Sequence, residues 1–147
     1  MGRNLDANRL LGSACGKQLC GRPLNSLVRR LMSGEQVAAM SPLIQKVFES
    51  SEDGWCATFE IVGVRDAWAQ VTKGRLNIAY PFDSPPDLEA IAAELPGVAI
   101  VSWEEDTYAT YSFNDASPSM VAKAVDRLFE KYFSPGGYSV NCRIKNL

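Results

Sequence analysis

The chain contains no histidine in 147 residues. That absence removes Ser-His-Asp and Cys-His nucleophile activation, the commonest general base, and the commonest metal ligand. Cysteine is sparse, at positions 15, 20, 56 and 142. A structural zinc site wants two close pairs, but only Cys15 and Cys20 are close; Cys56 and Cys142 lie 86 residues apart. Both of these fall in strand-like runs, where a buried free thiol serves as a small apolar side chain in a reducing compartment. No run approaches the roughly 18 consecutive apolar residues that a membrane-spanning helix requires. The Gly-x-Ser-x-Gly elbow of hydrolases is missing. The stretch GSACGKQ, residues 12–18, falls one spacer short of a phosphate-binding loop and lacks the hydroxyl after Lys17. The residues before Cys15 are too polar for a lipoprotein signal, and Gly2 is not followed by the Ser or Thr of a myristoylation pattern. These absences give the expectation of a cytoplasmic, non-enzymatic protein with no cofactor and no metal.

What is present is an ordinary globular composition with an uneven charge. Apolar residues make up 46% and charged residues 22%, enough to bury a core without disulfides. Residues 1–40 carry six basic and two acidic side chains, while residues 41–147 carry nine and fifteen, so +4 is set against −6. An acidic body gives no electrostatic case for nucleic acid. Residues 1–40 are expected to form a basic arm with one short amphipathic helix, in which Leu24, Leu27, Val28 and Leu31 share a face after Pro23. Residues 41–147 are expected to form a single domain.

Within that domain, Ser41-Pro42 predicts a helix start, and Glu52-Asp53-Gly54 its end. Alternation then predicts three strands in succession. Trp55, Ala57, Phe59 and Ile61 face one way; Ala67, Ala69 and Val71 follow; Leu76, Ile78, Tyr80 and Phe82 come after the turn at Lys73-Gly74. Residues 85–95, PPDLEAIAAEL, predict a short helix with Leu88, Ile91 and Leu95 on one face. VAIVSW and TYATYSF form a hairpin about the acidic tip Glu104-Glu105-Asp106. Ser117-Pro118 opens the longest helix, and Tyr138, Val140, Cys142 and Ile144 alternate in a final strand. The expected fold is α+β: an antiparallel sheet of five to six strands with helices packed on one face, in the order α-β-β-β-α-β-β-α-β.

No pair of carboxylates sits at fixed spacing on one element, and the acidic tip lacks the spacing of a calcium loop. The residues left over are aromatic. Strand parity sets Trp68 and Trp103 opposite the main apolar face, with Tyr108 and Gln70 beside them. Trp and Tyr combine large apolar area with a polar handle, which suits a partner interface. The polar neighbours of these aromatics include no basic stripe, which argues against RNA or DNA.

The stretches WAQVTKGRLNIAYPF, PGVAIVSWE and YATYSF, taken with the element order, resemble a chaperone-like family. That family links type III secretion chaperones with YbjN-type peptide-binding proteins, and the resemblance runs from about Ser41 to the C-terminus. It implies a homodimer that holds extended segments of a protein or peptide client on its sheet. The partner-binding residues are then Trp68, Gln70, Trp103 and Tyr108. The alternative from the residues alone is an immunity- or antitoxin-type inhibitor that binds one folded partner through its acidic surface.

Overall fold

Thr72 lies directly opposite Arg75, which leaves Lys73-Gly74 as a two-residue hairpin turn. Gly74 sits at φ +76°, a left-handed conformation that side chains resist. Its carbonyl accepts a hydrogen bond from Phe113 N at 3.1 Å, so one turn ties the ends of two hairpins together. The structure, a computed structural model, describes residues 34–135 and 137–146. The elements are α1 (Gly34–Glu49), β1 (Trp55–Ile61), β2 (Trp68–Thr72), β3 (Arg75–Ala79), β4 (Ala99–Glu104), β5 (Tyr108–Ser112), α2 (Pro118–Phe133) and β6 (Val140–Asn146).

All six strands form one antiparallel sheet in the order β4-β5-β3-β2-β1-β6. The α+β class, the sheet and the packing of helices on one face are as the sequence predicts. α1 packs on α2 and reaches β1, β2 and β6. The inward positions Ala57, Phe59, Ala69, Val71, Leu76, Ile78, Ala109, Tyr111, Val140 and Cys142 are all buried beneath the helices. Phe59, Tyr111, Phe129, Met40 and Ile44 are among the largest side chains closed off completely. α2 is stopped at both ends by sequence-local devices. Ser117 accepts from Met120 N at 3.3 Å as N-cap, Pro118 opens the first turn, and Ser134 closes the helix in the left-handed conformation.

Two expectations on helices need correction. α1 does not begin at Ser41: it already runs from Gly34, so Pro42 lies inside it and the expected boundary after residue 40 cuts a continuous helix. Pro42 has no N–H to offer the carbonyl of Ala38, and both residues are on the exposed side of the helix. Ser41 Oγ meanwhile donates to Val37 O at 2.8 Å. Residues 85–95 are not a helix but a series of turns. Ala92 N and Leu95 N reach back four residues, while Ile91 N and Glu94 N reach back three, and Pro85-Pro86 supplies no donors to extend the pattern. The hydrophobic positions were legible all the same, since Ile91 and Leu95 are fully buried. The expected amphipathic helix within residues 1–33 and the Cys15/Cys20 pair lie outside the described residues.

Candidate functional site

Three surfaces have the shape or chemistry to take a ligand. The first is the sheet face turned away from both described helices. Register fixes what stands on it. One row across the sheet runs Ser102, Thr110, Asn77, Gln70, Thr58, Arg143, and every neighbour in it is a direct cross-strand partner. The adjacent row holds Glu104, Tyr108, Ala79, Trp68, Glu60 and Asn141, with Trp68 opposite Glu60 and Tyr108 opposite Ala79. Trp68, Gln70 and Tyr108, three of the four residues chosen from sequence, therefore share one face. Thr110 Oγ1 donates to Asn77 Oδ1 at 2.9 Å, while the polar groups of Trp68, Gln70 and Tyr108 have no hydrogen-bond partner among the described residues. Arg75, Arg143 and Lys145 fall on this face too, and Arg143 lies 3.9 Å from the Glu60 carboxylate.

Trp103 does not join them, and this corrects the parity expectation. The β4–β5 register slips between Ile100 and Ser102, so Val101 is an extra residue on the edge strand. A bulge of one residue reverses the alternation beyond it. Trp103 then stands opposite Ala109, on the helix side, where its ring meets Tyr80 edge-on at 6.0 Å.

The second surface is β4 itself. It is an edge strand, and five of its six residues are exposed, Trp103 being half-buried. Ile100 is 37% and Val101 45% exposed. Ile100 and Trp103 lie on the same side, and Phe82, itself 39% exposed, packs edge-on against the same Tyr80 ring that meets Trp103, at 5.2 Å. Asp106 N donates to Phe82 O at 2.9 Å and Tyr80 N to Thr107 O at 3.2 Å, which lashes residues 80–82 to the end of the β4–β5 hairpin. The result is an apolar strip along the sheet edge: Phe82, Trp103, Ile100 and the outward Val101. Phe82, expected on the apolar face of the third strand with Leu76 and Ile78, instead lies beyond the end of β3 and is exposed, and Ile100 and Val101 were not singled out from the sequence. The signal was there in VAIVSW, which is apolar at both parities and so cannot bury one face and wet the other. The opposite edge, β6, is guarded by Arg143 and Lys145. β4 has no Lys, Arg or Pro between Val98 and Trp103.

The third is a groove of about 1070 Å³ beside α2, lined among others by Gln36, Glu94, Asp126, Arg127, Glu130 and Tyr138. Its charges are largely committed to one another. Glu94 Oε2 sits 3.3 Å from Arg127 Nε, Lys131 Nζ sits 3.3 Å from Asp87, and Tyr138 donates to Asp126 Oδ1. Burial lifts the Asp126 carboxyl above its ordinary value, against the opposing pull of the Tyr138 hydrogen bond and Arg127. Tyr138 is pushed up as well, by burial first and then by the Asp126 charge, so its hydroxyl stays a donor. Nearby, Tyr111 and Tyr132 share a hydroxyl–hydroxyl bond of 2.7 Å, and burial raises both phenols. These pairs hold α2 to the sheet and to the β6 approach. Among the described residues no group of three or more Cys, Asp or Glu gathers to hold a metal ion, and no helix is long and apolar enough to cross a membrane.

No protein-family model matches this chain, and no curated protein or solved structure matches it either.

Proposed function

We propose that the chain is a non-enzymatic, chaperone-like module that binds an extended segment of a client polypeptide along β4. The observation that supports this most is the exposed apolar edge, Ile100 and Val101 continuing into Trp103 and Phe82, with no Lys, Arg or Pro between Val98 and Trp103 to guard it. An unpaired strand edge offers main-chain donors and acceptors to any extended chain, while side-chain burial beside it sets the preference. The bulge at Val101 shortens the run available for pairing, so burial on Phe82, Trp103 and Ile100 carries the larger share of the affinity. Such binding needs no histidine, metal or nucleophile.

A second reading keeps the client on the face of Trp68, Gln70 and Tyr108, and it is favoured by the polar groups there that have no hydrogen-bond partner among the described residues. The two readings separate with a fluorescent peptide of alternating Val and Thr, titrated by anisotropy. The edge reading expects Val101→Lys to weaken binding by roughly tenfold, the scale of losing one well-buried apolar contact, and Trp68→Ala to leave it unchanged. Loss with Trp68→Ala and not with Val101→Lys would move the site to the sheet face.

A further inference from the structure

The apolar strip runs at one end into a cluster of charge, and that charge is of one sign. Glu104, Glu105 and Asp106 form the β4–β5 tip, and the hydrogen bond from Asp106 N to Phe82 O brings Asp83 alongside them. All four are exposed. Other acidic side chains of this region are compensated: Asp87 by Lys131 and Glu94 by Arg127. Asp83, Glu104, Glu105 and Asp106 have no ion pair among the described residues. The other end of the strip, Gly97-Val98-Ala99, is neutral. Crowded like charges raise the local negative potential, and a cationic group placed there relieves it.

From this asymmetry we infer that the partner of the β4 edge is a cationic-apolar polypeptide: an extended segment whose apolar side chains lie on Phe82, Trp103 and Ile100 and whose Lys or Arg residues lie against Asp83 and the Glu104–Asp106 tip. This rests on the edge-binding reading above and adds the client's chemistry and its direction along the strand. The charge end fixes orientation because only one end of the strip attracts a cation, and a reversed segment would bring its basic residues to the neutral turn. Complementary charge of this kind acts chiefly on encounter rate and register, so its contribution is salt-dependent.

The test uses the full chain and three short alternating Val-Thr peptides that differ only at one end: a Lys pair, a Glu pair, or neutral residues. The Lys-ended peptide is expected to bind roughly tenfold tighter than the neutral one, the scale of a few exposed ion pairs acting together. That advantage should vanish near 1 M salt, where the Debye length is about 3 Å. It should vanish as well in the Glu104→Gln, Glu105→Gln, Asp106→Asn variant. Asn is chosen at position 106 because the residue sits at φ +54°, which Asn tolerates. Equal binding of all three peptides, or preference for the Glu-ended one, overturns the cationic assignment and leaves the edge reading standing. Failure of every peptide to bind removes both. A concentration-dependent dimer that Val101→Lys dissociates, with no peptide competing, makes a second copy of the chain the occupant and also overturns the inference.

Discussion

Pro42 offers the sharpest check on the described fold, because sequence and structure assign it opposite roles. At a first helical turn a proline is at home, and replacing it gains nothing. Inside a helix it removes one backbone hydrogen bond and presses its ring on the preceding turn, a cost of about 3 kcal/mol relative to alanine. α1 begins eight residues earlier, at Gly34, so Pro42→Ala restores a donor to the carbonyl of Ala38. Against the gain stands the added freedom of the unfolded chain, roughly 0.4–1 kcal/mol. The residue is exposed, so no packing is disturbed. The net expectation is a stabilisation of about 2 kcal/mol, which for a chain of this size is a rise in Tm of roughly 4–8 °C. Urea denaturation followed by far-ultraviolet circular dichroism measures it directly, with an unchanged m-value confirming that the same surface unfolds. A neutral or destabilising Pro42→Ala would mean that α1 starts at Ser41 after all.

Two further outcomes follow from the tyrosine pairs. Tyr111→Phe leaves the Tyr132 hydroxyl half-buried without its partner and should cost about 1–2 kcal/mol in urea unfolding, whereas the Tyr111→Phe, Tyr132→Phe double variant should recover part of that loss. A double variant that simply sums the single losses would show that the bond contributes nothing of its own. Asp126 has a folded pKa raised by burial above its unfolded value, so its contribution is complete below the ordinary carboxylate range and is lost as pH rises through the raised value. Asp126→Asn keeps an oxygen acceptor for Tyr138 and removes the charge. Its stability relative to wild type should therefore be more favourable at pH 7 than at pH 4; an unchanged difference between the two pH values would contradict the raised value.

How far the sequence foretold the structure depends on the range over which each feature is encoded. Sheet faces were legible because burial imposes a period of two, and the alternation in residues 68–72, 75–78, 108–112 and 138–142 survives in the structure, whereas in β1 Cys56, Ala57, Thr58 and Phe59 are all buried and the period is lost. Strand order was not, since β5 slips between β3 and β4 through pairings that no local pattern announces. The bulge at Val101 is likewise silent: no glycine marks it, and it arises where an edge strand has a partner on one side alone. That one residue explains why Trp103 separates from Trp68, Gln70 and Tyr108. The helix start was misread because Ser41-Pro42 carries a genuine N-terminal signature, overridden here by tertiary burial of Gln36, Ala39 and Met40 in the turns before it. Ile91 and Leu95 were correctly assigned to the core even though their backbone does not form the expected helix, because side-chain spacing of three and four residues is shared by isolated turns.

The claim that β4 is the working edge is tested most directly by amide hydrogen exchange of the wild-type chain with and without the Lys-ended peptide. Strand addition predicts slowed exchange for outward-facing amides within residues 98–104, together with Phe82 and its neighbours, and no change along Trp68–Thr72. Protection that appears instead across Trp68, Gln70 and Tyr108, with β4 exchanging as before, would contradict it.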